Sequence, residues 1–333
     1  GLNRAIVKQG IKVLQTRKNL GLKTLLDICK IDSNPSVYHL GFLLGPRINA
    51  GGRVGKCTHG ANLLLNKDPK ITFKIAMELD QFNKERQMLE KDLLNKILIK
   101  TKNNFKDPVI IISGKNWHEG VIGIVAARLK DKFNKPVIII TIDGDIGKAS
   151  ARSIVGFDIG SVIISATQEN ILLKGGGHKM AGGFSIKTSN IEEFKNFVFR
   201  KFKRINKNLI YEKPLLLDSI ISPSAVNLDF YKKVELLSPF GSGNPEPKFV
   251  IENLKTINGK IVGENHIKSI LIGNDGSTVK SIAFNALEND LGAYLLKKNN
   301  KSFNIAGKLS LNEWRGQSNV EFIIDDISVN KTF

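Results

Sequence analysis

Pro108-Val109-Ile110-Ile111-Ile112-Ser113 and Pro136-Val137-Ile138-Ile139-Ile140-Thr141 are two unbroken apolar runs of strand length. Between them, Val121 to Phe133 reads as an apolar helix. Unbroken β-branched runs mark strands buried on both faces, and two of them joined by a helix predict a parallel βαβ unit. Such units bind ligands beyond the carboxyl ends of their strands. Here that edge carries Lys115, Asn116, Trp117, His118, Glu119 and Gly120. Two glycine-bearing segments follow, Gly147 to Ser153 and Gly175 to Gly183, both expected as loops. Ser189 with Glu192 three residues on is a capping box that opens a closing helix.

Upstream, Thr72 to Lys100 is expected as one helix of about 40 Å. Ile75, Leu79, Phe82, Leu89, Leu93 and Ile97 form its apolar stripe, with Arg86 as the polar interruption. A single narrow stripe suits a strut between domains, with a coiled-coil dimer as the rival. The first seventy residues look helical, apart from Gly45 to Gly55, whose glycines and arginines predict a loop. Downstream of about residue 210 the pattern changes to short strands. Leu215–Ile220, Phe249–Ile261, Ile267–Ile272, Val279–Phe284, Ser302–Ser310 and Val320–Ile327, with a helical insert near Ala286–Leu296, fit an OB-type barrel.

The chain has 333 residues and a formal net charge of +19, from 50 basic and 31 acidic side chains. An apolar content of 41% is enough for real cores and argues against a disordered basic tail. Two cysteines, Cys29 and Cys57, cannot build a disulfide framework or a four-cysteine zinc site. No run approaches the roughly 18–20 apolar residues of a membrane span, and no signal peptide is recognisable. The charge is uneven: residues 1–106 carry 20 basic against 8 acidic, residues 107–203 carry 14 against 9, and residues 204–333 carry 16 against 14. Such a gradient points to a phosphate-facing surface in the first two thirds. The opening Gly1-Leu2-Asn3-Arg4 reads like the middle of a domain, so the chain is expected to be part of a longer protein.

Glycine removes the Cβ that would block a phosphate from backbone N–H groups. Gly175 to Gly183 has five glycines in nine residues, with His178 and Lys179 among them; a tight turn packed on the sheet is the alternative. Ser150 and Arg152 share one face of an extended segment and together can hold one phosphate. Arg47, Asn49 and Arg53 place two of only ten arginines in one segment, for backbone phosphates or, for Arg47, an ion pair between domains. Trp117 offers a stacking ring and His118 a helix N-terminus; a core tryptophan and a capping histidine are the alternatives. Three motifs fail. Gly147-Lys148 lacks the hydroxyl and upstream glycine of a phosphate-binding P-loop, Asp143-Gly144-Asp145 reads as a hairpin turn, and Asp325-Asp326 as a strand end. No metal cluster or Ser/His/Asp set is recognisable.

Taken together, Gly45-Pro46-Arg47-Ile48-Asn49-Ala50, Trp117-His118-Glu119-Gly120-Val121-Ile122-Gly123-Ile124-Val125-Ala126, Ser150-Ala151-Arg152-Ser153 with Gly156-Phe157-Asp158, Gly176-Gly177-His178-Lys179-Met180-Ala181-Gly182 and Pro239-Phe240-Gly241-Ser242-Gly243-Asn244-Pro245-Glu246-Pro247 resemble, in order, the RecJ-type single-stranded-DNA-specific exonucleases of the DHH/DHHA1 phosphoesterase family. The resemblance implies an α/β plus β chain. Its parts would be the C-terminal part of a DHH domain (1–71), a connecting helix (72–101), a DHHA1 α/β domain (102–206) and an OB-fold domain (207–333). It also implies a cytoplasmic, monomeric 5′→3′ exonuclease of DNA repair and recombination, a hydrolase that uses Mn²⁺ or Mg²⁺. Single-stranded DNA is the implied partner, with a single-stranded-DNA-binding protein or helicase as a further one. By the same resemblance Ser150, Arg152, Gly176, Gly177 and His178 grip the 5′-phosphate, Arg47, Asn49 and Arg53 lie near the cleft, and Trp117 and His118 contact DNA. No Asp-His-His occurs in the sequence. The catalytic residues are therefore unknown, no metal is assigned to this chain's residues, and the chain alone is expected to bind DNA weakly without cutting it. A non-catalytic nucleic-acid-binding protein and a nanoRNA or cyclic-dinucleotide phosphodiesterase remain as alternatives.

Overall fold

A computed structural model describes residues 1–101, 105–205, 214–288, 291–296, 302–314 and 317–328. Two compact units result, one from residues 9–213 and one from residues 1–8 with 214–333.

The first unit opens within α1 (Leu2–Gln15), whose first residues count with the other unit, and continues with α2 (Leu20–Ile28), a π-helical turn (His39–Leu44), α3 (Gly45–Val54) and α4 (His59–Leu65). Helix α5 (Pro69–Lys100) follows. Asp68 caps it by accepting from the N–H groups of Lys70 and Ile71, and Pro69 sits where a missing N–H costs nothing. At 32 residues it is about 48 Å long, beginning three residues before the expected start. Leu79 packs with Leu25, Leu26, Leu44 and Leu63, whereas Leu93 and Ile97 pack beneath the sheet. Both ends of the stripe are thus buried against this chain's own elements, as a strut requires.

The segment from Gly45 to Val54, expected as a loop, is helix α3. It continues directly from the π-helical turn, and its small residues are what the packing needs. Ala50 and Gly51 are buried against α5, and a Cβ on Gly51 would stand 3.3 Å from Leu79 Cδ2. Tertiary contact here outweighs glycine's poor helix propensity. Arg47 fixes the pairing through Nε to Asp80 Oδ1 at 2.8 Å, and Lys84 reaches the other carboxylate oxygen at 2.8 Å.

The sheet of this unit contains β1 (Ile110–Lys115), β2 (Val137–Asp143), β3 (Ile146–Arg152), β4 (Lys174–His178) and β5 (Ala181–Lys187), in the order β1-β2-β3-β5-β4. The predicted βαβ unit is present, with β1 and β2 parallel and α6 (Glu119–Phe133) between them. The other pairings are antiparallel. Both segments expected as loops are therefore sheet: Gly147–Arg152 lies in β3, and Gly175–Gly183 is the β4–β5 hairpin. The Asp143-Gly144-Asp145 turn joins β2 to β3, with Gly144 at φ +57°. Helix α6 covers one face; α7 (Ile159–Gln168) and α8 (Ile191–Ile205) cover the other. The expected capping box is replaced by a 3-10 turn, in which Ser189 Oγ donates to Asn190 Oδ1.

In the second unit β6 (Ser219–Ile220) and α9 (Leu228–Glu235) precede β7 (Phe249–Val262), β8 (His266–Ile272), β9 (Thr278–Ala283), α10 (Leu291–Leu296), β10 (Phe303–Trp314) and β11 (Gln317–Ser328). Strand β10 pairs with both β11 and β7, and this closes a five-stranded barrel around Phe249, Ile251, Leu271, Phe303 and Phe322. The Pro239–Pro247 motif is a strap. Asn244 Nδ2 donates to the Leu237 and Pro239 carbonyls, and Glu246 pairs with Lys308 of β10. Among the described residues no helix is long and apolar enough to cross a membrane.

Burial alone would push the Asp80 carboxyl up, but the hydrogen bonds and charges of Lys84 and Arg47 outweigh it and hold the carboxyl below the usual range. Its stabilisation is present above the unfolded pKa near 4 and is lost as pH falls through the lower folded value. Asp80→Asn should cost about 2–4 kcal/mol in urea denaturation at pH 7. The gap to the parent chain should close as the pH falls through the lowered folded value of Asp80.

Candidate phosphate-binding face

Helix α6 lies over β1, β2 and the near side of β3, where Val121, Ile122, Val125 and Leu129 meet Ile110, Val137 and Ile139. Alternate residues of a strand share a face, and the pairing register carries each position across the sheet. Three rows result on the α6 side: Lys148–Ser185–Lys174, Ser150–Gly183–Gly176 and Arg152–Ala181–His178. Beside α6 the first two rows line an open cleft of about 630 Å³, whose walls include Glu119, Lys148, Ser150, Lys174, Gly176 and Ser185.

Two glycines of α6 set how close it comes. A Cβ on Gly123 would stand 2.8 Å from Ser150 Oγ and 3.1 Å from Arg152 Nη2, so only glycine leaves both groups undisturbed. Three residues earlier, a Cβ on Gly120 would stand 2.2 Å from the Arg53 carbonyl oxygen. Arg53 Nη1 donates to the Gly120 carbonyl at 3.2 Å, which ties the end of α3 to the start of α6.

Arg152 donates through Nη1 to Ser150 Oγ at 3.2 Å and to the Ala151 carbonyl at 2.8 Å. Burial, and after it the Arg53 guanidinium, pulls the Arg152 pKa down. A half-buried cation whose electrostatic neighbour is another cation gains from an incoming anion. Gly176 has nothing within 4 Å of where a Cβ would be, so its backbone is open. Gly177 differs: a Cβ there would stand 2.4 Å from the Ala181 carbonyl oxygen, so this glycine serves the hairpin. His178 is exposed at the end of the Arg152 row.

Ser150, Arg152, Gly176, His178 and Arg53 therefore gather around one region. Arg47 does not join them: its guanidinium is spent on Asp80 and the Leu43 carbonyl, within one unit, so its role is structural. Asn49 lines a separate cavity of about 590 Å³ with Phe42, Arg53, Arg86 and Arg128. His118 caps α6, its Nδ1 accepting from the Gly120 N–H at 3.1 Å. Trp117 packs across Gly114, and its carbonyl accepts from Thr141 Oγ1 at 2.7 Å. With Asn116, Ile142 and Ile146 it lines a neighbouring cavity of about 410 Å³. Lys174 and Ser185 are not marked in the sequence, and Gly123 is marked only as part of the motif that begins at Trp117. The alternation in Ile146–Arg152 exposes Lys148 beside Ser150, but no sequence signal gives the cross-strand partners.

Among the described residues no three His, Cys, Asp or Glu side chains form a group able to hold a metal ion.

Residues 96–204 match the DHHA1 domain family and residues 217–326 the RecJ OB domain. The single-stranded-DNA-specific exonuclease RecJ of Bacillus subtilis is 30% identical over 99% of this chain and 42% of its own length. That of Haemophilus influenzae is 31% identical over 98% of this chain and 58% of its own length. The crystal structure of Thermus thermophilus RecJ in complex with Mn²⁺ superposes with a TM-score of 0.83 at 28% identity, covering 100% of this chain and 47% of that one. A structure of exonuclease RecJ bound to manganese gives 0.53 at 31% identity, covering 61% of this chain and 50% of that one. The chain thus spans about half the length of the curated relatives it matches.

Gly123→Ala should force α6 off β3, because the new Cβ meets Ser150 Oγ at 2.8 Å. The expected loss is about 1–3 kcal/mol in chemical denaturation. Gly176→Ala, which enters open space, should cost much less.

Proposed function

Because the chain belongs to the RecJ family, we propose that it holds the 5′-phosphorylated end of single-stranded DNA for a 5′→3′ exonuclease of DNA repair and recombination. The observation that carries this reading is the Ser150–Arg152 pair at the edge of α6, with open glycine backbone across the sheet and a second arginine beside it. Arg152 supplies two parallel N–H donors, a geometry that fits two phosphate oxygens, and Ser150 supplies a hydroxyl for a third. Arg53, and beyond it Asn49, lead the following nucleotides away from the terminus. The barrel offers Phe284, half exposed and edge-on to His266 at 5.2 Å, as a ring on which a base can stack.

The chemistry the family's structures suggest is hydrolysis assisted by Mn²⁺ or Mg²⁺. The described residues of this chain do not form a ligand set for such an ion, so the part assigned to them is to bind and register the strand. Gripping the 5′ terminus fixes which linkage lies one nucleotide away, and positioning of this kind is itself a large share of catalysis.

Fluorescence anisotropy with 3′-labelled dT oligonucleotides tests the reading. A 5′-phosphate should bind about tenfold more tightly than a 5′-hydroxyl, the worth of one charge-assisted bidentate contact. Arg152→Gln and Ser150→Ala should remove that preference, while Arg47→Ala should lower the melting temperature and leave the preference in place. Equal affinity for the two ends in the parent chain would overturn the proposal. The purified 333-residue chain with Mn²⁺ should release no mononucleotides; released nucleotide would show that it cleaves unaided. Affinity should also rise with length beyond a dinucleotide, and Phe284→Ala should blunt that rise. A plateau at two nucleotides would instead favour a dinucleotide phosphodiesterase.

A further inference from the structure

The Ser150–Gly183–Gly176 row occupies only part of the cleft it lines. Two residues along β3, on the same face, lies the row Lys148–Ser185–Lys174, about 7 Å from the Ser150–Gly183–Gly176 row. Both rows line the same cavity of about 630 Å³. Lys148 and Lys174 flank Ser185 from the two neighbouring strands, so two ammonium groups and a hydroxyl border one patch of floor. The acidic groups at this end are Glu119, at the start of α6, whose Oε1 lies 2.6 Å from Lys148 Nζ, and Asp143, whose charge also acts on Lys148. The Glu119–Lys148 pair is more than half exposed on both sides. Pairs of this kind contribute little, so exchanging Glu119 for a stronger anion costs little.

Direction decides what could reach this row. Arg53, the second arginine beside Arg152, comes from α3 and binds the start of α6, where its charge acts on Arg152. A strand with its terminal phosphate on Ser150 and Arg152 and its next nucleotides passing Arg53 leaves the Lys148 row on the far side of the terminal phosphorus. A 5′-monophosphate has no atoms there; a 5′-di- or triphosphate does. Lysine ammonium groups, compact and rotatable, suit the unordered oxygens of such a chain.

Resting on the 5′-end reading above, we infer that the Lys148–Ser185–Lys174 row is a subsite for the β- and γ-phosphoryl groups of a 5′-polyphosphorylated strand. The face therefore accepts 5′-triphosphate ends rather than rejecting them. No bond is made or broken at this subsite.

The test uses the 333-residue chain and 3′-fluorescein dT10 carrying a 5′-hydroxyl, a 5′-monophosphate or a 5′-triphosphate, at low salt. Two steps in affinity are expected. The first, from hydroxyl to monophosphate, belongs to Ser150 and Arg152. The second, from mono- to triphosphate, should be about three- to tenfold, as two exposed ion pairs allow. Lys148→Ala with Lys174→Ala should abolish the second step and spare the first, and Glu119→Gln should enlarge it. These side chains are exposed, and unchanged melting temperatures will confirm that the variants are folded. A first step without a second overturns the subsite and leaves the 5′-phosphate reading intact; loss of both steps in the parent chain overturns both. If the double variant weakens the monophosphate strand as much as the triphosphate strand, the lysines hold an internal linkage and the inference falls.

Discussion

Helix α6 is held close to its neighbours by two glycines, and the arrangement around it follows from that close approach. Gly120 meets the main chain of α3, and one turn later Gly123 meets the side chains of Ser150 and Arg152. Side chains at either position would push the helix away, separating Arg53 from Arg152 and filling the space above Ser150. Because α6 is seated on β1 and β2 by Val121, Val125 and Leu129, it cannot slide outward to cover β5 and β4. The polar half of that sheet face stays open as a direct result.

The charges sort themselves around this frame. Arg47 is matched by Asp80, and Arg86 and Arg128 converge on the buried Glu90. Breaking such a buried pair leaves an uncompensated charge, so these arginines are held in place as structure. Arg53 and Arg152 instead make hydrogen bonds to neutral oxygens and act on each other as like charges. The excess positive charge of the first two thirds of the sequence is thus spread over many residues, and Arg53 and Arg152 are among those without a carboxylate in their hydrogen bonds.

Much of this was legible in the residues. Continuous β-branched runs gave β1 and β2, the stripe from Leu79 to Ile97 gave α5, and alternating strands gave the barrel. What stayed hidden depends on contacts remote in sequence. Helix α3 is poor in helix formers and is stabilised by lying against α5, a contact that local propensity cannot register. The β4–β5 hairpin looks like a loop because glycine disfavours strands, yet its glycines are what allow α7 to approach: a Cβ on Gly175 would stand 2.7 Å from Ile163. Ser150 and Arg152 were visible as an alternating pair, and Gly176 as an open glycine. Lys174 and Ser185 were not, since only the register of pairing sets them beside Lys148. Trp117 and His118 turned out to serve packing and capping, the plainer of the two roles open to them.

The middle row of the cleft floor is built from Gly176, Gly183 and the Ser150 hydroxyl, so what that row presents is largely main chain. Main-chain groups are the same whatever sequence they belong to, and a phosphate would be the same at every nucleotide. Contacts of this make-up would read no base. Such indifference would suit the strand-holding role proposed above, and it would come from a row that leaves long side chains out.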